Sequence, residues 1–321
     1  MPAAASPAIQ WPHLPLEAWA ATAETLHLWT QVVGKVRLAQ TPWTNHSWHV
    51  PLYVAPRGLR TGPIPHGRRV FEIGFDFAAH ELRVEVSDGG RRTLPLRPKT
   101  VADFYGDLMA TLAHLGVPVE IHGAPNEVEN PIPFAEDTEH KAYNREAVTR
   151  FWQMLVQSHR VLTTFRSRYL GKASPVHFFW GSFDLAVTRF SGREAPPHPG
   201  GIPNLPNWVV REAYSHEVSS AGFWTGGGPH PFPLFYSYAY PQPDDFAKAT
   251  GLPGGAFFSR PLGEYVLPYE DVRQSPDPDA VVLAFLEATY AAAADLGGWD
   301  REKLEFPADP KRAFSSEGQD G

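Results

Sequence analysis

The 321-residue sequence contains no cysteine. That excludes a disulfide framework, a thiolate nucleophile, an iron–sulfur cluster and a thiolate zinc site, so any metal would have to be held by His, Asp or Glu. It also lacks an apolar run near the roughly 20 residues that span a bilayer, and its opening stretch, MPAAASPAIQWPHLP, has no basic segment leading into an apolar one. A cytoplasmic location is the expectation. Basic excess is missing too: the net charge is -7, and adjacent basic pairs such as Arg68-Arg69 and Arg91-Arg92 are few. Nucleic-acid binding by counterion release needs a clustered basic surface, so the expected partner is a small molecule, with neither nucleic acid nor membrane.

What is present is a chain rich in apolar (43%) and aromatic (13%) residues, enough for a substantial core. Apolar residues recur at helical spacing from Leu16 to Leu38, and Trp48 to Val54 reads as a strand. Val70 to Phe77 and Glu81 to Ser87 alternate about a short break, which predicts an antiparallel hairpin, with Asp88-Gly89-Gly90 turning into a further strand. Thr100 to Leu115 predicts a helix with a capping box from Thr100 to Asp103 and Gly116 just past its end. A short strand is predicted at Pro118 to His122, a linker or long surface loop over GAPNEVENPIPFAED, and a long helix from Thr138 to Leu170.

Beyond residue 171, Val176 to Phe190 and Val209 to Trp224 read as long aromatic strands. Leu234 to Tyr240 and Gly263 to Pro268 read as two more, followed by a helix from Pro278 to Leu296. Strands, then helices, then strands predict an α+β fold, antiparallel sheet with helices packed on one side. A single domain over 10–307 is expected, its halves meeting near 123–137, with a disordered tail over 308–321.

Chemistry-bearing side chains concentrate in otherwise apolar segments. His27, Gln31 and Lys35 fall at i, i+4 and i+8 on the first helix, a stripe that most simply reads as its wet face, with Gln31 the candidate ligand contact. If NHSWHVPLYV is a strand, His46 points to the core and His49 away from it, beside Asn45 and Tyr53. An imidazole with a phenol and an amide to orient it suits acid–base work. In the later segment, Glu212, Tyr214 and His216 would share one strand face and Glu217 the other, with His177, Asp184, Ser182 and Arg189 supplying neighbouring walls.

His49, His216, Glu212 and Glu217 are therefore the catalytic candidates. Gln31, Asn45, Tyr53, His177, Asp184, Arg189, Trp224 and Tyr238 are the ligand-binding ones. His177, His216 and a carboxylate have the ligand types for a metal, but their spacing matches no zinc motif, and no metal or cofactor is assigned. Gly181 to Asp184 is not a G-x-S-x-G elbow, and the glycine runs lack a phosphate-loop setting. The expected function is an enzyme using His/Glu acid–base chemistry on a small polar or aromatic molecule in an aromatic-lined pocket. The alternative is a non-catalytic ligand-binding protein.

The strings TLHLWTQVVGKVRLA, NHSWHVPLYV, HFFWGSFDLAVTRFSGR and YSHEVSSAGFW resemble the long motifs of a bacterial family known as a domain of unknown function. The resemblance spans residues 10 to 307 and implies a shared fold, without a reaction, cofactor or partner.

Overall fold

A computed structural model describes residues 11–307; the tail expected after 307 lies outside them. Among the described residues are seven helices and two antiparallel sheets of six strands each, an α+β architecture. Helix α1 (Ala20–Gln40) opens the fold. The first sheet follows: β1 (Tyr53–Ala55), β2 (Gly58–Arg60), β3 (Ile64–His66), β4 (Arg69–Asp76), β5 (Glu81–Val86) and β6 (Arg91–Pro95), in the order β1-β2-β4-β5-β6 with β3 also pairing β4. The hairpin predicted around the break at residue 78 is the β4–β5 pair, closing at Asp76 opposite Glu81.

Two helices follow, α2 (Val101–His114) and α3 (Arg145–Ser167). Thr100 caps α2 as predicted, its Oγ1 accepting from the Asp103 N–H at 3.0 Å and donating to Asp103 Oδ2 at 2.7 Å. The second sheet has the order β11-β12-β10-β9-β8-β7. Its strands are β7 (His177–Phe179), β8 (Asp184–Glu194), β9 (His216–Trp224), β10 (Leu234–Tyr240), β11 (Phe257–Ser259) and β12 (Glu264–Pro268), with α4 (Asn207–Ala213) before β9. After β12 come α5 (Tyr269–Gln274), α6 (Pro278–Leu296) and α7 (Arg301–Leu304).

Some local readings change. Trp48 to Val54 is not one strand: Asn45–Ser47 forms a 3-10 turn in which His46 and Ser47 both take φ 56, backbone pairing begins at the Leu52 bridge, and the first strand begins at Tyr53. Period-two alternation therefore does not hold there, and His46 and His49 are both buried. The long segment from Val209 splits into α4 and β9, because Pro206 fixes an extended entry to a short helix that ends at Tyr214. The segment from Val176 folds back at Trp180–Phe183 into the β7–β8 hairpin. The stretch predicted as a strand at 118–122 has no regular structure. The long helix starts at Arg145 and not Thr138, where Asn144 caps it by accepting the Ala147 N–H at 3.1 Å.

The two sheets join edge to edge at one bridge, where Leu52 and Phe178 exchange backbone hydrogen bonds of 2.7 and 2.8 Å. One apolar cluster runs through both halves, from Leu14 to Ala294. Alternation in the second sheet then decides where function can sit. Leu185, Val187, Ala221, Phe223, Phe235 and Leu267 are buried in that core, on the face covered by α3 and α6. Asp184, Thr188, Ser220, Trp224, Tyr236, Tyr238 and Glu264 occupy the opposite register and line open space.

Candidate functional site

On this polar face of the second sheet lies a cavity of about 890 Å³, roofed by Ala20, Ala23, Glu24 and His27 of α1. Its wall carries three carboxyl groups, those of Asp184, Glu264 and Glu127, with Tyr214, Tyr236, Tyr238 and Trp224; among the described residues no lysine or arginine borders it. A second cavity of about 510 Å³, more apolar, is bordered by Trp43, Trp48, Phe179 and Trp180 and shares the Glu127, Asp184, Tyr236 and Tyr238 wall.

The strand register places Asp184 directly opposite Trp224, and Trp224 opposite Leu234, two residues before Tyr236. The Tyr236 hydroxyl donates to Asp184 Oδ2, while the Tyr214 and Tyr238 hydroxyls lie 2.7 Å apart. Gly222 makes the first contact feasible: a Cβ there would stand 2.5 Å from Tyr236 Oη and 2.1 Å from Leu185 O. Gly222→Ala is therefore expected to displace the phenol from Asp184 and to destabilise the fold by about 1–3 kcal/mol, as overpacking does. Urea unfolding checks this, and a midpoint equal to that of the parent chain would refute it.

Burial drives the electrostatics. It raises Asp184 to about 7, with the nearby Glu127 charge adding to the effect, and raises Glu264 to about 8, with Asp184 contributing. Glu127 is raised by burial as well, opposed by the hydrogen bond from Ser182 Oγ at 2.7 Å. The phenols move upward for the same reason, Tyr238 to about 12. Near neutral pH the wall thus holds carboxyl groups poised between their charged and neutral forms, which is what general acid–base chemistry requires.

Glu127 comes from the segment read as a linker. Its backbone sits at φ 59, an uncommon conformation for a non-glycine residue, and is held from both sides. Gln31 makes a two-way clamp, its Nε2 donating to Asn126 O and its Oε1 accepting from Asn126 N, both at 2.8 Å. Lys35 Nζ donates to the Asn126 side chain, and the Glu127 N–H donates to Pro203 O at 2.9 Å. The Glu127 carboxylate then lies over Gly181, where a Cβ would be 1.9 Å from Oε1. His27 Nε2 donates to Gly181 O at 2.8 Å. The polar stripe on α1 is therefore not a wet face: Gln31 and Lys35 are buried and anchor the loop that presents Glu127.

The other expected residues fall in three places. Asp184, Trp224 and Tyr238 border the larger cavity; His177 borders the smaller one, where burial lowers it to about 3 and its Nδ1 has no partner among the described residues. Glu212 is on α4 and not on a strand with His216; its carboxylate accepts the His46 N–H at 2.9 and 3.0 Å. His216 lies 5.9 Å from the His46 ring and accepts or donates at Nδ1 with Ser215 Oγ at 3.0 Å, and Glu217 is paired with Arg193 at 2.7 Å. His49 packs on Trp43 at 4.5 Å, with its Nδ1 3.2 Å from both Thr44 N and Thr44 O. Asn45 opens the 3-10 turn, and Tyr53 lies under the Arg37 guanidinium at 5.2 Å. None of His49, His216, Glu212 and Glu217 borders either cavity.

Arg189 is corrected outright as a wall residue. It is five positions from Asp184, an odd number, so it points to the helix-covered face, where it is fully buried against Phe165, Tyr169 and Tyr290. The residues that sequence reasoning missed are Glu127, Glu264 and Tyr236. For Tyr236 a signal existed, since Tyr236, Tyr238 and Tyr240 alternate in one strand. For Glu127 none did, because nothing in an irregular loop shows which way it faces.

No group of three or more metal-ligating residues is arranged to hold an ion, and no helix is long and apolar enough to cross a membrane, among the described residues. The family model of DUF5996, a family of unknown function, matches residues 11–306. The chain belongs to this family. No curated protein and no solved structure matches this family member.

Proposed function

We propose that the protein is an acid–base enzyme acting on a small polar or aromatic-bearing molecule in the larger cavity, with Asp184, Glu264 and Glu127 as the proton-transfer groups. The observation that carries this is the gathering of three carboxyls on one cavity wall, Asp184 buried and Glu127 and Glu264 half-buried, with no lysine or arginine beside them among the described residues. Buried carboxyls without cationic partners are unfavourable for folding and are kept where a reaction uses them. Tyr236 donates to Asp184 and fixes its orientation, while Ser182 does the same for Glu127. Trp224 and the tyrosines supply ring surface for the rest of the substrate.

This moves the expected acid–base role from His49 and His216 to the carboxyls, since neither histidine reaches the cavity. The test is incubation of the protein with a low-molecular-weight metabolite extract, read by mass spectrometry for compounds consumed and formed. Asp184→Asn should lower the conversion by about 10²–10⁴, the usual contribution of a positioned acid or base, while His49→Ala and His216→Ala leave it in place. A conversion that survives Asp184→Asn, or no conversion at all, overturns the reading.

A further inference from the structure

Resting on that reading of the larger cavity, we infer that its ligand carries a positive charge on nitrogen: an organic ammonium ion seated between the Asp184 and Glu264 carboxyls and the rings of Trp224, Tyr214, Tyr236 and Tyr238. Two features of the cavity converge on this class, and its titration supplies a test.

The first is the missing counter-charge. Asp184 is 7% exposed, and what it has is a phenol donor, Tyr236. The carboxyl of Glu264, at the edge of β12, has no hydrogen-bond or ion-pair partner among the described residues, and the charge it feels is that of Asp184. Two carboxyls in one low-dielectric space repel when both ionise, and among the described residues no lysine or arginine lies on the lining to relieve this. A cationic occupant would.

The second is the aromatic surround. Tyr236 and Tyr238 stack with centroids 6.2 Å apart, Tyr214 stands 6.3 Å from Tyr238, and Trp224 is fixed opposite Asp184 by strand register. The phenol oxygens are engaged, Tyr236 on Asp184, Tyr214 with Tyr238, and Tyr240 on Pro196 O at 2.9 Å. What these residues have left to offer is ring surface, whose electron-rich faces attract ammonium groups. Gly227, whose absent Cβ would lie 3.1 Å from the Trp224 ring, lets the backbone pass close against that indole.

Titration of the wall makes the class testable. A cation binds the ionised carboxyls, so its affinity should rise with pH through the range in which they lose their protons. The groups facing them are Glu24 and His27 of α1, Glu127 of the clamped loop, His198, and Tyr214, Tyr236, Tyr238 and Tyr240. Burial holds His27 and His198 below the ordinary histidine value and the Tyr214, Tyr236 and Tyr238 phenols above theirs. Burial thus biases the histidines toward their neutral form, and between pH 6 and 8.5 Asp184, raised to about 7, and Glu264, raised to about 8, are what ionises. A neutral polyol, the competing occupant, would show no such rise.

The test is titration calorimetry of the full chain with choline chloride and with its uncharged isostere, 3,3-dimethylbutan-1-ol, at pH 6.0 and 8.5. Choline should bind at pH 8.5 about tenfold or more tighter than the isostere. It should weaken by at least about tenfold at pH 6.0, with protons released on binding seen as a heat that depends on the buffer. Glu264→Gln should lower choline affinity at pH 8.5 by about tenfold and leave the isostere unchanged, circular dichroism confirming that the variant is folded. Equal binding of the two probes overturns the inference and leaves the cavity a site for neutral ligands, so the proposed function stands. If neither probe binds, the inference falls, and the proposed function is judged by its own conversion assay.

Discussion

At pH 8.5 the Asp184→Asn protein is expected to be more stable than the parent chain, although it should be inactive. The reason lies in the proton balance of folding. Asp184 has an ordinary value of 3.8 and is raised to about 7 by burial in the folded chain, so between those values the folded state keeps a proton that the unfolded state has released. Stability attributable to this group is greatest below the unfolded value, falls as pH rises through the window from about 4 to about 7, and stays low above it. The difference between the two values corresponds to on the order of 4 kcal/mol. An asparagine has no such proton to lose, and its oxygen can still accept from Tyr236.

The comparison must be made as variant minus parent at each pH, because other groups act in the opposite sense. Glu270, held at about 2 by the Arg273 guanidinium, contributes stability that is lost as pH falls below about 4.5, and buried His177 contributes in the same direction below 6.5. Thermal or urea unfolding at pH 4 and pH 8.5 should show the Asp184→Asn advantage growing by several kcal/mol between the two. If the advantage is equal at both, or if the variant is less stable at pH 8.5, the carboxyl is not held protonated and the acid–base assignment loses its basis. Activity maintained at the expense of stability is a common pattern at enzyme sites.

Trp29→Ala should give the largest loss of stability, about 3–5 kcal/mol, the range found when a buried tryptophan or phenylalanine is cut back to alanine. Trp29 is fully buried in α1, stacked on Phe104 at 4.7 Å and on Tyr143 at 5.5 Å, so it ties the helix to α2 and to the start of α3. Two residues further along, on the opposite side of the helix, Gln31 grips Asn126. The same helix thus fixes the core with one side and presents Glu127 with the other. Denaturant titration would measure the loss, and a value under about 2 kcal/mol would show that the ring stack is replaceable.

Much of the fold was legible because it rests on local periodicity. The β4–β5 hairpin, the capped helix α2, strands β10 and β12 and helix α6 follow from alternation, a Thr–Asp box and glycine stops that act over a few residues. At the start of NHSWHVPLYV a neighbour far along the chain overrode the local rule. The Asn45–Ser47 turn is held by Glu212, whose carboxylate takes the His46 N–H, and no pattern within NHSWHVPLYV announces a partner 166 residues away.

The candidate site divides in the same way. By itself the sequence determined the α+β class and the segments that carry Asp184, Trp224 and Tyr238, but it grouped Arg189 with Asp184 as a wall residue, and the structure turns Arg189 to the other face. Only the tertiary structure decided that the α1 stripe is buried and that a loop glutamate enters the cavity. It also decided that His49 and His216 stay outside. Alternation along a strand is dictated by backbone geometry that every residue carries with it. Which irregular loop crosses which helix depends on long-range packing, which is a property of the assembled chain.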